Sequence, residues 1–95
     1  MRESAIEKYL VTKVEFLGGE VRKVEWIGRR GAPDRLVMMP AGWTVTDPGW
    51  SCWVELKAPG AKAKPHQVRE HKRMRAMGQR VAVIDSIEGV DDLLS

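Results

Sequence analysis

The run "RVAVID", residues 80–85, constrains the fold more than any other stretch. Val81, Ala82, Val83 and Ile84 follow one another without the polar alternation of a half-solvated strand. Such a run predicts an interior strand, flanked on both faces. Helical patterns stand on either side of it to supply that cover. Before it lies "PHQVREHKRMRAMG", where Pro65 suits a first helical turn and Gly78 ends the helix. After it lies "IEGVDDLL", a short acidic helix that Ser86 can cap.

The rest of the chain follows the same logic. In "ESAIEKYLVTKVEFLGG", Ile6, Leu10, Val14 and Leu17 recur at helical spacing, and Gly18-Gly19 stops the helix. "EVRKVEWIG" predicts a first strand, "RLVMMP" a second and "SCWVELKA" a third. "RRGAPD" is a loop, since Gly and Pro interrupt it. "AGWTVTDPGW" carries turn signals, and "PGAKAK" is a basic loop. The order is α-β-β-β-α-β-α, packed as one α/β domain over residues 1–95 with a mixed central sheet flanked by helices.

Length permits one domain of this kind and no more, at 95 residues. The one cysteine, Cys52, rules out an internal disulfide and fits a reducing compartment. No apolar run approaches the ~20 residues of a membrane span, and "MRESAIEKYL" has no signal-peptide core. The expectation is a cytoplasmic protein of a prokaryote or a phage-infected host, with no membrane partner. The net charge of +3 is only a mild pointer to nucleic acid.

Four side chains do not belong to a core pattern. In "CWVELKAPG", Glu55 and Lys57 share one strand face with Trp53, while Cys52, Val54 and Leu56 share the other. Alone, such a pair is a surface ion pair of little worth. Asp34 opens the preceding strand, and alone it is a turn residue. Glu3 lies about 25° from the centre of the first helix's apolar stripe and Glu7 about 65°. Alone, Glu3 is an acid placed well for the helix dipole. Together they change meaning. Strand pairing can bring Asp34 to Glu55, and carboxylates crowded into a small site need a cation. Oxygen ligands favour Mg²⁺ or Mn²⁺. A lysine beside them can position a water or balance phosphate charge. That set suits phosphodiester hydrolysis.

"GAPD", then 20 residues, then "ELK", with a glutamate in the first helix and Gln67 early in the next helix, resembles the PD-(D/E)XK nuclease superfamily. The whole pattern is similar to its virus-type replication-repair nuclease (VRR-Nuc) domain, in a minimal stand-alone form such as phages carry. The resemblance implies a restriction-endonuclease-like fold. It makes Asp34, Glu55 and the main-chain carbonyl of Leu56 ligands of Mg²⁺ or Mn²⁺. Lys57 would assist the attacking water. Glu3 would complete the acidic group through water, with Glu7 as the alternative. Gln67, about 20° from Met74 on its helix, would orient Lys57 or the scissile phosphate.

Beside such a site, the basic residues Arg29, Arg30, Lys62, Lys64, Arg69, Lys72 and Arg73 read as phosphate-contacting surface, with His66 as a further contact. Elsewhere the same run would be a solvated helix face. His71 reads as a packing residue between helix and sheet, and the acidic segment from Asp85 should face away. The tryptophan-bearing segment from Trp43 to Trp50 is expected to form a homodimer contact. The expected activity is that of a metal-dependent endonuclease on branched DNA, such as a four-way junction. The competing readings are a flap or nick preference, a non-catalytic basic DNA-binding module on the same fold, and an interaction protein with unrelated surface charges.

Overall fold

The computed structural model describes residues 1–42 and 46–95, so Trp43 lies outside the described residues. The elements are α1 (Glu3–Phe16), β1 (Glu20–Lys23), β2 (Arg35–Met39), β3 (Trp50–Leu56), α2 (Pro65–Ala76), β4 (Val81–Ile84) and α3 (Ile87–Leu94). This is the order expected. The strands form a mixed sheet in the order β1-β2-β3-β4. The first three run antiparallel, and β4 runs parallel to β3, with α2 as the crossover.

One sheet face carries the core. Ile6, Leu10 and Val14 of α1 meet Val37 of β2, Cys52, Val54 and Leu56 of β3, Ile84 of β4 and Val90 of α3. Each of these is nearly or fully buried, so this face supplies most of the hydrophobic stabilisation. Alternation along β3 turns Trp53 and Glu55 to the opposite face, where α2 packs. There α2 buries Glu70, His71 and Met74. The protein is thus three layers, with α1 and α3 below the sheet and α2 above it. Ser86 caps α3 as expected, its Oγ accepting the Gly89 N–H at 2.9 Å. Asp91 of α3 is bound by Tyr9 and Lys13 of α1, so the acidic segment lies on the core side, away from Glu55.

Two expectations are corrected. The "RVAVID" strand is not interior to the sheet. Among the described residues β4 pairs with β3 alone and forms an edge. Its apolar run arises because Ile84 enters the core and Val81 is buried on the α2 side, while Val83 stays 39% exposed. The first strand is also shorter than "EVRKVEWIG" predicts, ending at Lys23. The chain leaves the ladder because the Trp26 indole turns back and its Nε1–H donates to the Pro33 carbonyl at 2.8 Å. Gly28, at φ +72, then makes the turn.

Candidate active site

Strand register builds the site. Arg35 pairs with Val54 across β2 and β3, and one further step sets Asp34 opposite Glu55. Asp34 is also tied to the other neighbour, its carbonyl accepting the Val24 N–H at 2.9 Å. The loop ahead of it is held by Gly31. At φ +86, a side chain there would be strained, and its Cβ would come within 2.8 Å of the His66 carbonyl. This close approach seats "GAPD" against the first turn of α2, with Pro33 fully buried.

Glu55 is 12% exposed and Lys57 15% exposed, with Nζ of Lys57 4.0 Å from Oε2 of Glu55. Asp34 is half exposed. Burial pushes the Glu55 carboxyl above the ordinary carboxylate range. Lys57 opposes that shift, Asp34 and Glu3 add to it, and Arg35 opposes it. Glu3 and Asp34 therefore act on Glu55 through charge. Among the described residues, however, no three His, Cys, Asp or Glu side chains converge into a cluster that could hold an ion. The groups that could hold an ion are Asp34 and Glu55, with the Leu56 main chain beside them and Glu3 further out on an exposed helix end.

The choice between Glu3 and Glu7 is informed by Arg35, which the sequence reading did not single out. Arg35 is 11% exposed, and its guanidinium lies 3.0 Å from Glu7 Oε2 and 3.0 Å from Asp34 Oδ1. Glu7 is thus engaged with a structural cation, which leaves Glu3 as the helix acid whose field reaches Glu55. Gln67, expected to orient Lys57 or the scissile phosphate, is engaged at the start of its own helix through its amide oxygen. Its Oε1 accepts the Lys64 backbone N–H at 2.8 Å and caps α2.

His71 is the other residue whose position goes beyond the sequence reading. It packs between helix and sheet as expected, 1% exposed. In addition, its Nε2 lies 3.7 Å from Oε1 of Glu55 and has no hydrogen-bond partner. Its spacing of four from Gln67, which puts both on one helix face, was the available signal.

The basic surface is divided. Arg30, Lys64, Arg69 and Lys57 surround His66 and, after desolvation, hold its imidazole below the ordinary histidine range. Lys62 and Lys72 are exposed. Arg29 and Arg73 converge on buried Glu70, at 3.5 and 2.7 Å, and so clamp the "RRGAPD" loop to α2. Trp50 packs against the core and carries the Arg80 guanidinium 4.4 Å from its ring centroid. Trp50 is therefore half-buried within the subunit and keeps part of its surface open.

No family model matches the chain. A protein of Acyrthosiphon pisum secondary endosymbiont phage 1, named "Putative nuclease p44", is 48% identical over 86 residues, covering 90% of this chain and 85% of that protein. A solved structure described as a "VRR_NUC domain" superposes with a TM-score of 0.81 at 42% identity, over 97% of this chain and 92% of its own. No helix among the described residues is long and apolar enough to cross a membrane. With its motif residues brought to one end of β2 and β3 and with similarity running along nearly its whole length, the chain belongs to the VRR-Nuc family of nuclease domains.

Proposed function

We propose that the protein is a divalent-metal-dependent DNA endonuclease. The observation that carries this reading is the register of β2 and β3, Arg35 beside Val54, which continued by one residue brings Asp34 level with Glu55, with Lys57 Nζ 4.0 Å from the Glu55 carboxylate. Both carboxylates and the Leu56 carbonyl are oxygen donors, which fits Mg²⁺ or Mn²⁺ rather than a softer ion. Burial raises the cost of the Glu55 charge, and the Asp34 and Glu3 charges add to it, so a cation at this place is favoured. A bound cation would neutralise charge on the phosphate and acidify a water. The protein's own part is orientation. β2 and β3 fix the carboxylates on a rigid frame, and Lys57 can hold the attacking water or a phosphate oxygen. Arg30, Lys64 and Arg69, grouped around a His66 that they hold neutral, offer a cationic track leading to that point.

The substrate reading is branched DNA cut by a homodimer. One small subunit with one site cuts one strand per visit, and a two-fold dimer offers two equivalent sites to a two-fold junction. The decisive experiment incubates the protein with four-way junction, flap, nicked and plain duplex DNA in Mg²⁺ and in Mn²⁺, alongside a light-scattering mass. Paired symmetric cuts and a mass near twice 10.7 kDa are expected. A monomer cutting plain duplex as fast as junctions sinks the substrate reading and leaves the metal site standing.

A further inference from the structure

Beside Asp34 lies a groove of about 500 Å³ whose walls include Lys23, Trp26, Ile27 and Arg29. It is a shallow groove, open along one side to solvent. Trp26 is held as a platform. Its Nε1–H is spent on the Pro33 carbonyl at 2.8 Å, and its ring lies 5.0 Å from that of Trp53 at a tilt of 53°. Trp53 in turn donates its own Nε1–H to Gln79 Oε1 at 3.0 Å. Even so, Trp26 remains 36% exposed. The next residue, Ile27, is 98% exposed, on the turn made by Gly28. A lone exposed isoleucine needs no explanation. An isoleucine at a turn tip, next to a fixed indole, with two cations and a candidate catalytic carboxylate in the same groove, does.

Intact duplex presents phosphates and groove edges to such a surface and keeps its base faces stacked. An indole face and a branched aliphatic tip gain nothing from phosphates. They gain from a base with a free π-face. We propose that Trp26 and Ile27 form a subsite for an unstacked base next to the scissile phosphate, with Lys23 holding the flanking backbone. The subsite rests on the nuclease reading above and gives it a physical source of preference for DNA with unpaired nucleotides. Glu25 is also in the groove wall, and its negative charge would oppose a phosphate there, so contact with a base has more to contribute.

Binding measured in chelator tests this without cleavage. The probes are a duplex with one unpaired nucleotide at its centre and the same duplex fully paired. Ile27→Ala, at a side chain that touches little of the protein, should bind the unpaired probe about tenfold more weakly and the paired probe within about twofold of wild type. Trp26→Ala should do the same or more, with its melting temperature measured alongside. 2-Aminopurine at the unpaired position should change fluorescence with wild type and much less with Ile27→Ala. Equal loss on both probes, or no loss on either, overturns the subsite. Absence of cleavage by wild type in Mg²⁺ would count against the nuclease reading instead, so the two failures are told apart.

Discussion

His71 and Glu55 face each other across the helix–sheet boundary, Nε2 to Oε1 at 3.7 Å, with no hydrogen bond on that nitrogen. Desolvation, then Arg75, hold His71 below the ordinary histidine range, while Glu70 opposes. Desolvation holds Glu55 above the ordinary carboxylate range. The two shifts act on stability with opposite signs. A histidine with a lowered folded pKa supports the fold above its unfolded value, about 6.5, and that support is lost as pH falls. A carboxyl with a raised folded pKa costs stability as pH rises above its unfolded value, about 4.3. His71→Leu should therefore flatten the loss of melting temperature between pH 6.5 and 5. Glu55→Gln should raise the melting temperature at pH 7.5. A melting series across pH checks both, and an unchanged acid slope in His71→Leu would remove His71 as its source.

Charge at the carboxylates should separate cutting from binding. Asp34→Asn and Glu55→Gln should each lower cleavage by more than about 100-fold, since even groups that only support a metal ligand cost 10–100-fold. DNA affinity in chelator should hold or rise, because one fewer anion faces the phosphates. Gel-based cleavage paired with anisotropy binding reads both quantities on one preparation. Wild-type cleavage by Asp34→Asn would end the proposed mechanism.

The metal requirement has its own pattern. Cleavage should vanish in excess chelator and return with Mg²⁺ or Mn²⁺. Ca²⁺ should support DNA binding with little turnover, because its larger and looser shell places a water less well. Isothermal titration of the protein with Mn²⁺ should give weaker binding in Glu55→Gln. Full activity without divalent ions would contradict the assignment of both carboxylates.

Arg35 joins α1 to the Asp34 loop through Glu7 and Asp34. Arg35→Met should destabilise the fold by about 1 kcal/mol, since both partner carboxylates reach solvent and the pairs are screened. It should also lower cleavage, because Asp34 loses its lateral restraint. Urea denaturation and cleavage rates measure the two effects. Glu7→Gln should reproduce a part of the stability loss with a smaller effect on rate.

The sequence made the element order and the identity of the site strands legible because both depend on local pattern. β3 alternates, with Cys52, Val54 and Leu56 inward, so Glu55 and Lys57 had to share the other face. α3 begins where Ser86 can cap it. What local pattern could not carry was pairing partners. A four-residue apolar strand reads the same at an edge as in the centre, and only the sheet order shows that β4 has one neighbour. The double role of Arg35, the clamp of Arg29 and Arg73 on Glu70 and the approach of His71 to Glu55 all join distant segments. Trp26 looked like a strand residue, and its indole left the ladder for a carbonyl seven residues on.

The pairing of Arg35 with Val54 has an evolutionary reading. Asp34 meets Glu55 because the two strands are counted back from that pair. An insertion within β2 or β3 would shift the count and turn one carboxylate to the wrong face. An insertion between the end of β2 and the start of β3 leaves the count intact, and each doubling of a flexible connection costs only about 0.6 kcal/mol. Lineages descending from this fold can therefore vary this connection in length while the register of the two carboxylates stays fixed. Extra segments that tailor relatives to different partners should accumulate there, and strand lengths should not drift.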